Sequence, residues 1–150
     1  MIDIQRAFRE ILHRDDAVRA LVGERITPFQ AQQTDADSQP AAHIVYHMIS
    51  RNIERHLKGP IPLAMSRMQA DLYATSYSTV QELAAAVNQA TNGYSGRVEV
   101  SNDSLKIRSM RIDEWQELRE DENSASETSW HRVSMDFVIW HEHDVPLFAQ

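Results

Sequence analysis

The chain has 150 residues, is 42% hydrophobic and 25% charged, and carries a net charge of −7. This is the size and balance of one ordinary globular domain, residues 1–150. It has no cysteine, which excludes disulfides, zinc–thiolate sites and a cysteine nucleophile. No apolar run nears the ~18 residues of a membrane span, and the charged, amphipathic opening MIDIQRAFREIL does not read as a signal peptide.

Residues 3–12 are predicted to be a helix, with Ile4, Phe8, Ile11 and Leu12 on one face and Gln5, Arg6, Arg9 and Glu10 opposite. Asp15 or Asp16 can cap a second short helix carrying Val18, Leu21 and Val22, and Gly23 suits its end. QAQQTDADSQP, residues 30–40, is polar and aperiodic and reads as a mobile loop. AHIVYHMI, 42–49, alternates as a strand, with Ile44, Tyr46 and Met48 on one side and His43, Val45, His47 and Ile49 on the other. Gly59, Pro60 and Pro62 argue against a continuous strand in SRNIERHLKGPIPLAMS, 50–66, which reads as a long hairpin connection.

MQADLYA, 68–74, is the next strand, burying Met68, Ala70, Leu72 and Ala74. The clearest helix follows in 76–93. Val80, Leu83, Ala84, Val87 and Thr91 make its stripe, Ser76 or Ser78 its cap (Ser78 with Gln81 fits a capping box), and Gly93 its stop. RVEV and LKIRSMRI supply one or two strands. The segment 113–127 holds seven acids against Arg119 and is expected to be a solvated loop. TSWHRVSMDFVIWHE, 128–142, is the last strand. Val133, Met135, Phe137 and Ile139 share one face, and Trp130, Arg132, Ser134, Asp136, Val138 and Trp140 the other. The expected fold is α+β: a mixed or antiparallel four- to five-stranded sheet with helices packed mainly on one face.

Charge and motif narrow the function. The excess negative charge sits wholly in residues 76–150, with thirteen acids against six bases. The clustered Lys and Arg that tight nucleic-acid binding needs are missing. No phosphate-cradling glycine loop, nucleophile elbow or HExxH helix occurs. HEHD, 141–144, is the one metal-like stretch. On a strand His141 and His143 would lie on one side, roughly 6.6 Å apart, and could share a zinc ion. Glu142 and Asp144 would then point away. His43 and His47, about 13 Å apart on their strand, could not both complete the set. The simpler account is that His141 continues the buried face to its polar end. No cofactor and no metal is expected.

Two surfaces have the composition of protein interfaces. The first is the half-apolar face bearing Trp130, Arg132 and Trp140. The second is the hairpin 51–67, where Arg51, Arg55 and Lys58 interleave with Leu57, Ile61 and Leu63.

Four stretches in order resemble phage tail completion proteins, also called tail terminators. They are Asp16-Ala17-Val18 with Ala20-Leu21-Val22-Gly23 and Arg25-Ile26; the strand PAAHIVYHMIS; Arg67, Gln69, Asp71, Tyr73 and Tyr77 of the next strand and helix; and Arg132, Ser134, Asp136, Phe137, Ile139 and Trp140 of the closing strand. The polar insert 30–39 and the acidic segment 113–128 depart from that pattern. The resemblance implies a non-enzymatic virion protein that forms a ring, a hexamer in the family, capping the tail tube and joining it to the head connector. The implied partners are further copies of itself, the tail tube protein and the connector or stopper protein. DNA would pass without specific binding, no membrane would be involved, and assembly in the host cytoplasm would place the protein at the tail–neck junction. An acidic lumen from Glu117, Glu120, Asp121 and Glu122 would keep DNA from sticking. Two alternatives stay open on sequence alone: a small metal-dependent hydrolase using His141 and His143, and a non-viral interaction adaptor of the same fold.

Overall fold

The structure is a computed structural model, and it describes residues 1–28, 41–120 and 130–144. Its elements run α1 (Ile4–Arg14), α2 (Asp16–Val22), β1 (Ile26–Pro28), β2 (His43–His56), β3 (Gly59–Ala74), α3 (Tyr77–Thr91), β4 (Gly96–Val100), β5 (Asp103–Glu120) and β6 (Trp130–Glu142). The loop expected at 30–40 lies outside the described residues.

The strands form one mixed sheet in the order β1-β2-β3-β6-β5-β4. Every pairing is antiparallel except β1 on β2. The sheet therefore has six strands where four to five were expected. The addition is β1, three residues that no periodicity could announce. Its position is secured from both sides. Arg9 Nε donates to the carbonyl of Ile26 at 3.2 Å, and Arg25 bonds the carbonyls of Ala42 and Leu21 at 2.8 and 3.2 Å.

Local sequence explains the helices. Asp3 caps α1 by accepting from the Gln5 amide, Asp15 caps α2 through Val18, and Ser76 caps α3 through Thr79. The reciprocal Ser78–Gln81 box is not used; Ser78 hydroxyl instead meets that of Ser76 at 2.9 Å. Gly23 ends α2 at φ 58, a conformation open to glycine at little cost. All three helices pack on one face of the sheet, and the strand alternation there is as expected. Ile44, Met68, Leu72, Val133, Met135, Phe137 and Ile139 are buried against Phe8, Leu12, Leu83 and Val87. Phe8 sits edge-on to Phe137 with centroids 5.0 Å apart, a geometry that adds about 0.5–1.5 kcal/mol beyond its area.

Two segments differ from expectation. First, β2 and β3 do not dissolve into a connection. They stay paired out to Arg55 with Pro60 and His56 with Gly59, turning at Leu57 and Lys58. The prolines are tolerated because β6 joins β3 only from Leu63 onward, opposite Glu142. Beyond that point β3 has a neighbour on one side alone, and a missing N–H on the free edge costs no ladder bond. The register irregularity between Ile53 and Arg55 falls opposite Pro62, whose carbonyl accepts from the His143 amide at 3.3 Å.

Second, the acidic segment is not a loop as far as Glu120. β5 continues through Asp113, Glu114 and Glu117, paired with β6 up to Glu120 opposite Trp130. Like charges favour extension, and an extended chain beside β6 has the backbone donors and acceptors on that side paired. Asp121, Glu122 and Glu127 lie outside the described residues.

Candidate functional site

The β2–β3 hairpin projects past the end of β6 as an arm. Residues 59–62 precede the first β3–β6 pair, a reach of about 13 Å. Arg55 and Lys58 are exposed at its end, and Leu57 is fully so, at 107%. Ile61 and Leu63 are half-buried along the shaft, and Ile53 is 39% exposed. Arg51 belongs to the root instead. A bulge after Met48 turns it toward the helices, where it meets the Asp3 carboxylate at 3.4 Å.

The sheet face away from the helices is half covered by its own long side chains. Trp130 lies edge-on to His43 at 5.2 Å and to Tyr73 at 6.4 Å, and His43 stacks on Tyr73 at 4.9 Å. Arg132 bonds the Asp71 carboxylate at 3.1 Å and sits over the Tyr73 ring at 5.9 Å. Trp140 is at the other end of β6, between Met65 and Ser109. Ten residues of strand separate the two tryptophans, roughly 33 Å, so the expected Trp-bearing patch is two patches. Val138 between them is 1% exposed. The centre of this face is ionic, with Arg67 to Asp113 at 2.8 Å and Arg111 to Asp113 at 3.8 Å. Asp136 lies there with its carboxyl pushed above the usual range, first by burial and then by Glu114, against the lowering pull of Arg67.

A third surface escaped the sequence reading. At the end of the sheet opposite the arm, Tyr77, Val80 and Gln81 of α3 face Glu117 and Leu118 of β5 and His131 of β6 across an open, mainly apolar cleft. Tyr77 is 59% exposed and edge-on to His131 at 6.0 Å. Leu118 is 42% and Trp115 40% exposed. Gln81 Nε2 donates to Glu117 at 2.9 Å. The signal was Trp115 and Leu118 inside an acidic run, where the charges hid the alternation.

HEHD resolves as the end of a strand. β6 stops at Glu142, so His141 and His143 do not share a strand face. His141 is 2% exposed on the helix side. Burial, the largest influence, holds its ring below the ordinary value. With the ring neutral, Nδ1–H donates to the Glu142 carbonyl at 2.6 Å, and Nε2 accepts from the Ser66 hydroxyl at 2.7 Å. Both nitrogens are then engaged, leaving no lone pair for a metal. Among the described residues no group of three or more His, Asp or Glu is placed to hold an ion.

Against known proteins, the profile of the family described as Tail completion protein gp17 matches residues 6–142. The chain belongs to the tail completion family. It is thus a structural protein of a phage-type tail. No curated protein sequence matches it. Among solved structures it is similar to a chain of the "Virion of native gene transfer agent (GTA) particle", at 16% identity, covering 93% of this chain and 94% of that one with a TM-score of 0.64. That likeness is one of fold. Within this tail completion protein, residues that carried the sequence resemblance come together across strands. Asp71, Tyr73 and Arg132 form the outer-face network just described, and Arg25 and Ile26 secure β1.

Proposed function

We propose that the chain closes a tail as a ring of identical subunits, capping the tail tube and joining it to the head connector or stopper. The observation that carries this reading is the family match across residues 6–142. The fold it shares with a chain of a gene transfer agent virion supports a place in the particle; the tail–neck junction, reached after assembly in the host cytoplasm, is what the sequence resemblance implies. A hexamer is the stoichiometry the resemblance implies. Ring subunits meet through unlike surfaces, and the arm (Arg55, Leu57, Lys58, Ile61, Leu63) and the outer face at Trp130, Arg132 and Trp140 are suitable donors, with Arg51 bracing the arm's root. The acidic segment at Glu120, Asp121 and Glu122 lines the channel and keeps passing DNA from adhering.

Deleting the gene and imaging induced lysates by negative-stain electron microscopy tests this reading. Overlong tails, or tails unjoined to full heads, are expected. Normal particles would sink it. A hydrolase built on His141 and His143 finds no support in the geometry, and metal analysis of the purified chain is expected to show no stoichiometric zinc.

A further inference from the structure

We infer that the subunit joint is made by the β2–β3 arm of one copy seated in the Tyr77–Leu118 cleft of the next. This deepens the ring reading and rests on it. The two surfaces lie at opposite ends of the sheet. β3 and β5 run in the same sense, each antiparallel to β6, so the arm leads at one end while Ala74, Tyr77 and Glu117 close the other. About fifteen strand residues separate them, roughly 50 Å. An arm cannot reach its own cleft, and only a second copy can present one to it.

The surfaces are complementary. The arm offers Leu57, exposed at 107%, and Ile53, exposed at 39%. The cleft offers Tyr77, Val80 and Leu118 around an apolar floor, with Trp115 exposed beside it. The arm's end carries Arg55 and Lys58, with Glu54 its one acid beyond Asn52. The acid of the cleft's β5 wall is Glu117, and the cation of its β6 wall, Arg132, is already held by Asp71. Leu57 entering the cleft removes apolar surface from water on both sides, and Arg55 approaches Glu117. The contact is heterologous and head-to-tail, the kind that closes a ring when each step adds the same rotation. Glu117 then sits at the joint, on the helix side of β5 opposite Val133.

The absence of cysteine makes the test clean. Particles are assembled with L57C, L118C or the double variant in place of the wild-type chain, oxidised, and run on non-reducing gels. The double variant is expected to give a ladder of linked copies and each single variant none, since a disulfide needs Cα atoms within about 7 Å. Dimers from L57C alone would mean tip-to-tip contact and would overturn the inference. Intact tails with no ladder would overturn it while leaving the ring reading standing. If the cysteine variants fail to assemble, charge exchange decides. R55E and E117R should each reduce assembled tails about tenfold or more, and their combination should restore them. Absence of rescue in a double variant that remains folded by circular dichroism overturns the joint. The ring reading fails separately, if wild-type necks hold a single copy by quantitative mass spectrometry.

Discussion

At His141 the fold has used a titratable ring as an uncharged hydrogen-bonding core residue. The sequence placed it correctly at the end of the Val133–Ile139 face, but could not show that Ser66, two strand positions before Met68, would meet it across the β3–β6 ladder. That pairing depends on register, which alternation alone does not set. Burial lowers the folded-state value of His141, and of His43 on the other face, below the ordinary 6.5. In the unfolded chain both rings bind protons as pH falls through that value; in the folded chain they do so only at lower pH. The unfolded state therefore binds more protons in this window, and stability is lost there as pH is lowered. Above pH 6.5 the two rings make no difference. Urea midpoints should decline as pH is lowered below 6.5, and H141Q should decline less steeply than wild type. An unchanged slope in H141Q would show that its ring is already free to charge. Glu24 and Asp103 are held below ordinary values chiefly by hydrogen bonds from His13 and the N-terminus. Their losses come in the more acidic carboxylate range, which separates them from the histidines.

At the scale of elements, legibility follows how far one signal dominates. The stripe of α3 was readable because Val80, Leu83, Ala84, Val87 and Thr91 recur at helical spacing, and all five are buried. The arm and β5 were misread because a local signal, prolines in one and like charges in the other, was weighed without the neighbour that overrides it. Pro60 is harmless where β6 is absent, and the acids of β5 are extended because β6 is present. The same contrast predicts stabilities. Leu83 is wholly buried between α3 and the sheet, so L83A should lower unfolding free energy by about 2–5 kcal/mol. Leu57 makes no core contact, so L57S should change stability by no more than about 0.5 kcal/mol while impairing assembly. Chemical denaturation of the two variants side by side checks both values. Comparable losses would mean that the arm is part of the folding unit and not a surface device.

For the whole molecule the governing quantity is where charge lies relative to the joints and the channel. The excess of acids in residues 76–150 was legible at once, and with it the expectation that DNA is not gripped. What the sequence could not supply is the division of that charge. Glu117 is on the helix side of β5, held by Gln81, whereas Glu120 ends the strand and Asp121 and Glu122 follow it. If the first serves the joint and the rest face the channel, substitutions there should fail in different ways. E117R should block ring assembly. Replacing Glu120, Asp121 and Glu122 together by lysine should leave assembly intact and slow DNA ejection, because each ring would then bind passing phosphates and release their counterions. That drag should weaken as salt rises from 50 to 200 mM, following the screening of exposed charges. Time-resolved ejection from purified particles, triggered at several salt concentrations, measures it directly. Particles of the triple variant that form normally and eject at the wild-type rate at low salt would remove the acidic segment from the channel wall.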